Sequence, residues 1–142
     1  MRISDVLRSK GSSVATVDPG ISVSGLVSEL ARHNVGAMVV VENEVVVGIV
    51  SERDVVRRLH EHGADLLNAR VSEIMTSNVF TCLPTDSVDS LAATMTERRI
   101  RHMPVVVDGR LIGIVSIGDV VKSRIGELES DREQLESYIA RG

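Results

Sequence analysis

The stretch GIVSERDVV at residues 48–56 recurs 65 residues later as GIVSIGDVV at residues 113–121. These two stretches close a longer repeat, because residues 14–57 align without a gap to residues 79–122. A repeat of this length predicts two copies of one supersecondary unit, each too small to bury its apolar face alone. We therefore expect the two copies to pack together as a single unit.

Within each copy, the apolar pattern predicts the order strand, helix, strand, strand, helix. In the first copy the corresponding segments are residues 14–17, 23–33, 38–41, 45–50 and 53–62. The second copy repeats the order, and Asp108-Gly109 favours a tight hairpin between its two long strands. The pattern thus predicts a mixed α/β (α+β) fold built twice.

Two further segments complete the organisation. A short lead-in helix is expected before each copy, since residues 3–7 resemble residues 71–75 at an offset of 68, with three extra residues in the loop at 10–13. After Lys122, apolar residues at three-four spacing predict that the last helix continues. The predicted boundaries are 1–66 for the first copy, 67–124 for the second and 125–142 for a C-terminal helical extension.

Composition argues against several classes of function. The 142 residues carry a net charge of −4, which disfavours binding to nucleic acid through a basic face. The apolar runs are of strand length, and the N-terminus lacks the apolar core of a signal peptide, so neither a membrane span nor export is expected. We therefore predict a cytoplasmic protein.

Cysteine and aromatic residues are scarce. The single cysteine, Cys82, cannot form an internal disulfide, no cysteine or histidine spacing fits zinc, and we expect Cys82 in the core. With only Phe80 and Tyr138 as aromatic residues, a stacking platform for bases is not expected. Any bound ring is predicted to be held by aliphatic side chains.

In each copy a serine and an aspartate stand three residues apart where the last strand meets the last helix. Ser51 is placed to cap the helix with Asp54 on its first turn, and Ser116 and Asp119 repeat the arrangement. One interpretation is a capping box, worth about 1 kcal/mol. The other is a ligand site, since a helix N-terminus attracts anions and a carboxylate can accept both hydroxyls of a ribose. The residues themselves leave both interpretations open.

Both copies resemble CBS motifs, the cystathionine-β-synthase-type domains that occur in tandem as a Bateman module. The pattern Gly-hydrophobic-x-Ser/Thr-x-x-Asp at the end of each copy carries the resemblance, together with RHMPV at residues 101–105. It covers roughly residues 1–122. It implies two motifs packed about a pseudo-two-fold axis, clefts for adenosine-containing ligands such as AMP, ATP or S-adenosylmethionine, and a homodimer.

The resemblance also implies roles for individual residues. Asp54 and Asp119 are expected to hold the ribose hydroxyls, and Ser51 and Ser116 to bond the ribose or the α-phosphate. The backbone after Thr16 and Thr81, on the first strands, is expected to read the adenine edge, and the ring faces are expected against Val17, Val39, Ile49, Cys82 and Ile114. The phosphate is expected at basic positions, namely Arg53, Arg101 and His102, and the adjoining Met103 and Pro104 are expected to contact the ligand as well.

The copies differ at these implied phosphate positions. Residues 36–39 read Gly-Ala-Met-Val where the second copy has its basic segment and proline, and Gly118 replaces Arg53. The two sites are therefore not expected to be equivalent.

We predict a regulatory module that senses an adenosine nucleotide of the AMP, ADP or ATP class and signals to an effector protein by conformational change. The alternative is a structural, scaffolding subunit whose Ser/Asp pairs only cap helices. An enzyme is not expected, because no nucleophile stands beside a base in a catalytic pattern. Neither a cofactor nor a metal site is expected, and His60 and His62 would point to different faces of a helix.

Overall fold

The chain folds into α-helices and two small sheets in a computed structural model that describes residues 1–11 and 13–141. The elements are α1 (Ile3–Lys10), β1 (Thr16–Val17), α2 (Val23–His33), β2 (Ala37–Glu42), β3 (Val45–Ser51), α3 (Glu52–His62), a 3₁₀ helix (Gly63–Asn68), α4 (Val71–Ile74), α5 (Val88–Arg98), β4 (His102–Val107), β5 (Arg110–Ser116) and α6 (Ile117–Arg141). Ser12, in the predicted loop at 10–13, and Gly142, at the end of the predicted extension, lie outside the described residues.

The order of elements confirms the predicted mixed fold. In the first copy β1 runs parallel to β2, and β2 pairs antiparallel with β3; in the second copy β4 pairs antiparallel with β5. Both hairpins turn through two residues of positive φ, Asn43-Glu44 and Asp108-Gly109, as a tight two-residue turn requires. The helical extension is also confirmed, since α6 continues without a break to Arg141.

The predicted first strand of the second copy is wrong. Thr81 lies outside any strand, and the parallel pairing is reduced to one bridge between Cys82 and Val105. Cys82 N–H donates to the Pro104 carbonyl at 3.0 Å, and its own carbonyl accepts from Val106 N–H at 3.0 Å. The next bond of a parallel ladder would need an N–H at position 104, which proline lacks. Pro104 therefore ends the pairing where Val39 in the first copy allows it to continue.

Each lead-in helix packs into the core of the other copy. Ile3, Val6 and Leu7 of α1 lie in one core with residues of α5, β4 and β5, while Val71 and Ile74 of α4 lie in the other with residues of α2, β2 and β3. The backbone exchange is symmetric, with isolated antiparallel bridges between Arg2 and Ser87 and between Ser22 and Arg70. Each core therefore draws on both sides of the predicted boundary between residues 66 and 67.

The last helix leaves most of its apolar side chains exposed. Of the 25 residues of α6, only Val120 is buried, whereas Val121, Ile125, Leu128, Leu135 and Ile139 are exposed. Within the part of the chain that the structure describes, no helix combines the length and apolar character needed to cross a membrane.

Candidate functional site

Ser51 and Asp54 form a complete capping box at the start of α3. The Asp54 N–H donates to Ser51 Oγ at 3.3 Å, and the Ser51 N–H donates to Asp54 Oδ2 at 2.8 Å. The Ser51 hydroxyl also donates to Oδ2, at 3.0 Å. Within residues 1–11 and 13–141, Oδ1 of Asp54 accepts no hydrogen bond, so one carboxylate oxygen is left for a ligand while the other holds the cap.

A cleft of about 860 Å³ opens beside this pair and takes its walls from both copies. The first copy contributes the junction of β3 and α3, including Ile49, and the second contributes residues 78–80 and 99–102. Just before residues 78–80, an antiparallel bridge between Thr76 and Ile49 holds the chain against β3. Arg99 adopts left-handed backbone with a φ of 56° after α5, which turns the chain into β4.

The cleft is locally basic in a chain that is acidic overall. Four arginines line it, Arg53, Arg57, Arg99 and Arg101, against the two carboxylates of Glu52 and Asp54. The structure thus brings the predicted cations of the two copies, Arg53 from the first and Arg101 with His102 from the second, into one cleft. A cleft whose lining has a net positive charge attracts anionic ligands.

His102 is half-buried at the edge of this cleft. Burial and the nearby Lys10 ammonium, with a smaller effect of Arg101, lower the pKa of its imidazole, although the carboxylates of Asp119 and Glu52 act in the opposite direction. His102 is therefore neutral near pH 7, and it can take up a proton if an anion binds beside it.

Phe80 also lines the cleft, with 42% of its side chain exposed. The Arg98 guanidinium carbon lies 4.9 Å from the centroid of its ring. An aromatic side chain is therefore exposed in the cleft beside the aliphatic ones that were expected to hold a ring. Composition gave no hint of this, because a single phenylalanine becomes useful only through its place in the fold.

Several predicted ligand-binding residues are buried and do not line the cleft. Met103 and Cys82 lie in the core that contains α1, and Val17 lies in the other core. Val39 and Pro104 are also buried. Burial raises the pKa of the Cys82 thiol to about 11, with a smaller contribution from Asp86. Thr16 lines a separate groove of about 370 Å³.

Ser116 and Asp119 repeat the capping box at the start of α6. The Ser116 N–H donates to Asp119 Oδ2 at 2.8 Å, and the Asp119 N–H donates to Ser116 Oγ at 3.1 Å. Here, however, the Lys10 ammonium lies 2.7 Å from the same Oδ2 and donates to the Ile114 carbonyl at 2.9 Å. The two predicted Ser/Asp sites therefore have different surroundings.

Sequence reasoning missed the contributions of Asn78, Arg57 and Lys10. Lys10 lies in the predicted loop that carries the three extra residues of the first copy, so the repeat gave no signal for its role. Asn78 and Arg57 line the cleft, and Lys10 contacts the Ser116 and Asp119 pair. Among the described residues, no cluster of three or more His, Cys, Asp or Glu side chains is arranged to hold a metal ion.

Comparison with known proteins gives consistent matches across the chain. The family model described as CBS domain matches residues 3–61 and 71–126. The "CBS domain-containing protein CBSX3, mitochondrial" of Arabidopsis thaliana is 38% identical over 151 residues, covering 99% of this chain and 72% of the relative.

Two solved structures are also informative. The CBS-domain containing protein ATU1752 from Agrobacterium tumefaciens is 44% identical with a TM-score of 0.85, covering 87% of this chain and 99% of that one. The CBS domain pair of protein MJ0100, solved with 5-methylthioadenosine and S-adenosyl-L-methionine, is 27% identical with a TM-score of 0.77, covering 89% of this chain and 98% of that one.

Proposed function

This chain belongs to the CBS-domain family as a pair of CBS motifs, and from that premise we propose that it is a regulatory module that senses an adenosine-containing nucleotide. The observation that carries the proposal is the cleft at Ser51 and Asp54, which is lined by the Asp54 carboxylate and by four arginines. A nucleotide needs both features, because its ribose donates hydroxyl protons and its phosphates carry negative charge.

We assign each part of the ligand to a wall of the cleft. Asp54 Oδ1 accepts from the ribose hydroxyls, while Oδ2 keeps the cap that positions the carboxylate. Arg53 and Arg101 hold the phosphate, and the base packs between Ile49 and the exposed face of Phe80. The adenosine-containing ligands of the MJ0100 domain pair support this choice of chemical class.

The signal is proposed to pass through α3 and α6. The Ser51 and Asp54 cap begins α3, which exposes Val56 and Leu59, while α6 exposes a row of apolar side chains. We propose that these faces form the interface of a homodimer and also contact an effector protein. We place this interaction in the cytoplasm. A ligand shifts such packing only if it binds one arrangement more tightly than another, by typically about 1 to 3 kcal/mol.

Asp54→Ala is expected to abolish nucleotide binding with only a modest loss of stability. Losing the cap costs about 1 kcal/mol, whereas losing the ribose acceptor removes the stabilisation that bound ligand gives, about 2.7 kcal/mol at a hundred times its dissociation constant. Thermal melts of wild type and variant against AMP, ADP, ATP and S-adenosylmethionine measure both quantities.

Asp119→Ala is the matched control, because it removes the same type of cap from α6 but lies at the pair that Lys10 already contacts. It is expected to lower the melting temperature and to keep the ligand-induced rise. An Asp54→Ala variant that still shifts as wild type does would contradict the site.

A scaffolding function is the second candidate, and the completed capping boxes favour it, since they give both Ser/Asp pairs a structural role without any ligand. In that case the protein would act only by binding partners through the exposed apolar faces of α3 and α6. The same melts separate the two candidates, because a scaffold shows no shift with any of the nucleotides at millimolar concentration.

The affinity for AMP is expected to rise as the pH falls from about 8 to about 6 through His102. Burial and Lys10 hold the pKa of the free imidazole low, and a phosphate beside it would raise that pKa, so binding takes up a proton. Titration of wild type and His102→Gln by calorimetry at several pH values measures the effect. The phosphate titrates equally with both proteins, so the difference between the two profiles isolates His102. Parallel profiles would exclude His102 from the phosphate site.

A further inference from the structure

The second Ser/Asp pair already holds a cation supplied by the chain itself. The Lys10 ammonium forms an ion pair with Asp119 Oδ2 at 2.7 Å and a hydrogen bond with the Ile114 carbonyl at 2.9 Å. The side chains are only 33% and 20% exposed, so the pair is partly shielded from water. This contact joins the last turn of α1 to the start of α6, more than a hundred residues away along the chain.

The first cleft shows what Lys10 replaces. There α4 ends at Ile74, the chain becomes extended, and Thr76 N–H donates to the Ile49 carbonyl at 2.9 Å. Ile114 is the counterpart of Ile49, but α1 stays helical to Lys10 and offers no extended backbone. The lysine ammonium instead donates to the Ile114 carbonyl and reaches on to the carboxylate.

The lysine also changes the electrostatics of the second pair. Burial alone would raise the pKa of the Asp119 carboxyl, but the hydrogen bonds from Lys10 and from Ser116 outweigh it and lower the pKa. Asp119 is therefore ionised and neutralised by a charge already in place. Lys10 bonds Oδ2, the oxygen that also holds the cap, so a ribose hydroxyl at Oδ1 would share the carboxylate with an ammonium that already neutralises it and would gain less from a charge-assisted hydrogen bond.

The surroundings of the second pair differ from those of the first cleft. By the repeat, Gly118 replaces Arg53 and Ala15 replaces Phe80, so one arginine and the aromatic ring have no counterpart there. His102 lies beside both pairs, since it also pairs with Ser116 across β4 and β5. At the carbonyl that corresponds to the one Lys10 contacts, the first cleft has the uncharged backbone N–H of Thr76.

We propose that Lys10 acts as an internal ligand that closes the Ser116 and Asp119 site to nucleosides, so that the domain pair has one open site, at Asp54. The inference rests on the proposed function for the class of ligand. In this proposal, Lys10 determines whether the two CBS motifs together bind one ligand or two. The closed site, once freed, suits an uncharged nucleoside better than a nucleotide, since Gly118 stands there in place of Arg53.

The test is calorimetric titration of full-length wild type and Lys10→Asn with AMP and with adenosine. Asparagine removes the ammonium and keeps a polar side chain, and Arg8→Asn on the same helix is the control, since Arg8 is exposed and forms its ion pair with Asp5, at 3.8 Å. Lys10→Asn is expected to gain adenosine binding at a second site, at least about tenfold tighter than any such binding to wild type, and to lose it again in Lys10→Asn with Asp119→Ala. Arg8→Asn is expected to behave as wild type.

The outcomes separate this inference from the proposed function. Binding that depends on Asp119 and appears only without Lys10 supports the closed site, even if Asp54 proves to bind nothing. Wild type that binds at Asp119 overturns it, as does a folded Lys10→Asn that gains no such binding. If instead wild type and Asp54→Ala bound AMP equally, the proposed function would be contradicted. Thermal melts of each variant establish that it is folded.

Discussion

Replacing Ile3 with alanine is expected to lower the free energy of unfolding by about 2 to 5 kcal/mol, although Ile3 is the third residue of the chain. Its side chain is 0% exposed and packs in the core that α5, β4 and β5 form with α1. Its N–H also donates to the Asp86 carbonyl at 2.9 Å, which anchors the helix against the second copy. Urea unfolding measures the loss.

Two controls make the result specific. Val71→Ala removes the equivalent side chain from α4, also 0% exposed, and is expected to destabilise the protein by a smaller amount because fewer methyl groups are lost. Arg8→Ala, at an α1 side chain that is 79% exposed, is expected to cost little. A cost for Ile3→Ala no larger than that for Arg8→Ala would mean that α1 does not belong to this core.

Gly48→Ala is expected to destabilise the protein by about 1 to 3 kcal/mol and to disturb the cleft. A Cβ at this position would lie 2.5 Å from Met75 Sδ and 3.1 Å from the Thr76 carbonyl oxygen, which belongs to the backbone. Gly48 directly precedes Ile49, whose bridge to Thr76 fixes one wall of the cleft. Thermal unfolding measures the stability, and AMP titration measures the cleft.

The clash with Met75 can be tested by removing it. Met75→Ala in the Gly48→Ala background is expected to cost less than the sum of the two single changes, because the shortened side chain frees the space. Gly126→Ala, where a Cβ on α6 would meet nothing within 4 Å, is expected to stabilise the protein by up to about 1 kcal/mol through helix propensity. Additive costs for Gly48 and Met75 would exclude steric contact as the cause.

The repeat predicted most of the fold because it is a local and periodic signal. Strand and helix order, the hairpin turns and the continuation of α6 depend on the spacing of apolar residues and on turn chemistry, both of which can be seen in the sequence. The partner of α1 could not be seen, because an apolar face at helical spacing is equally satisfied by either core. Pro104 was visible, but it was assigned to the ligand rather than to the end of a parallel ladder.

The site was predicted less completely than the fold. Ser51, Asp54, Arg53, Arg101 and His102 do lie at one cleft, but the repeat could not indicate that cations from opposite copies would meet there. Phe80 and Lys10 were missed for a related reason. Their roles depend on which segment of the chain lies beside each Ser/Asp pair. The exchange of the lead-in helices between the two copies determines this.

The exchanged lead-in helices also bear on how the protein is made. During synthesis α1 leaves the ribosome before the other elements described here, yet the strand β5 on which it packs ends only at Ser116. The N-terminal apolar face must therefore remain uncovered until most of the chain has been translated, which for typical rates lasts on the order of ten seconds. The core of the first copy is completed sooner, because α4, the helix that it takes from the second copy, follows it directly in the chain. We therefore expect translation to complete the cores in a fixed order, the first copy before the second, with the N-terminus as the last segment to dock.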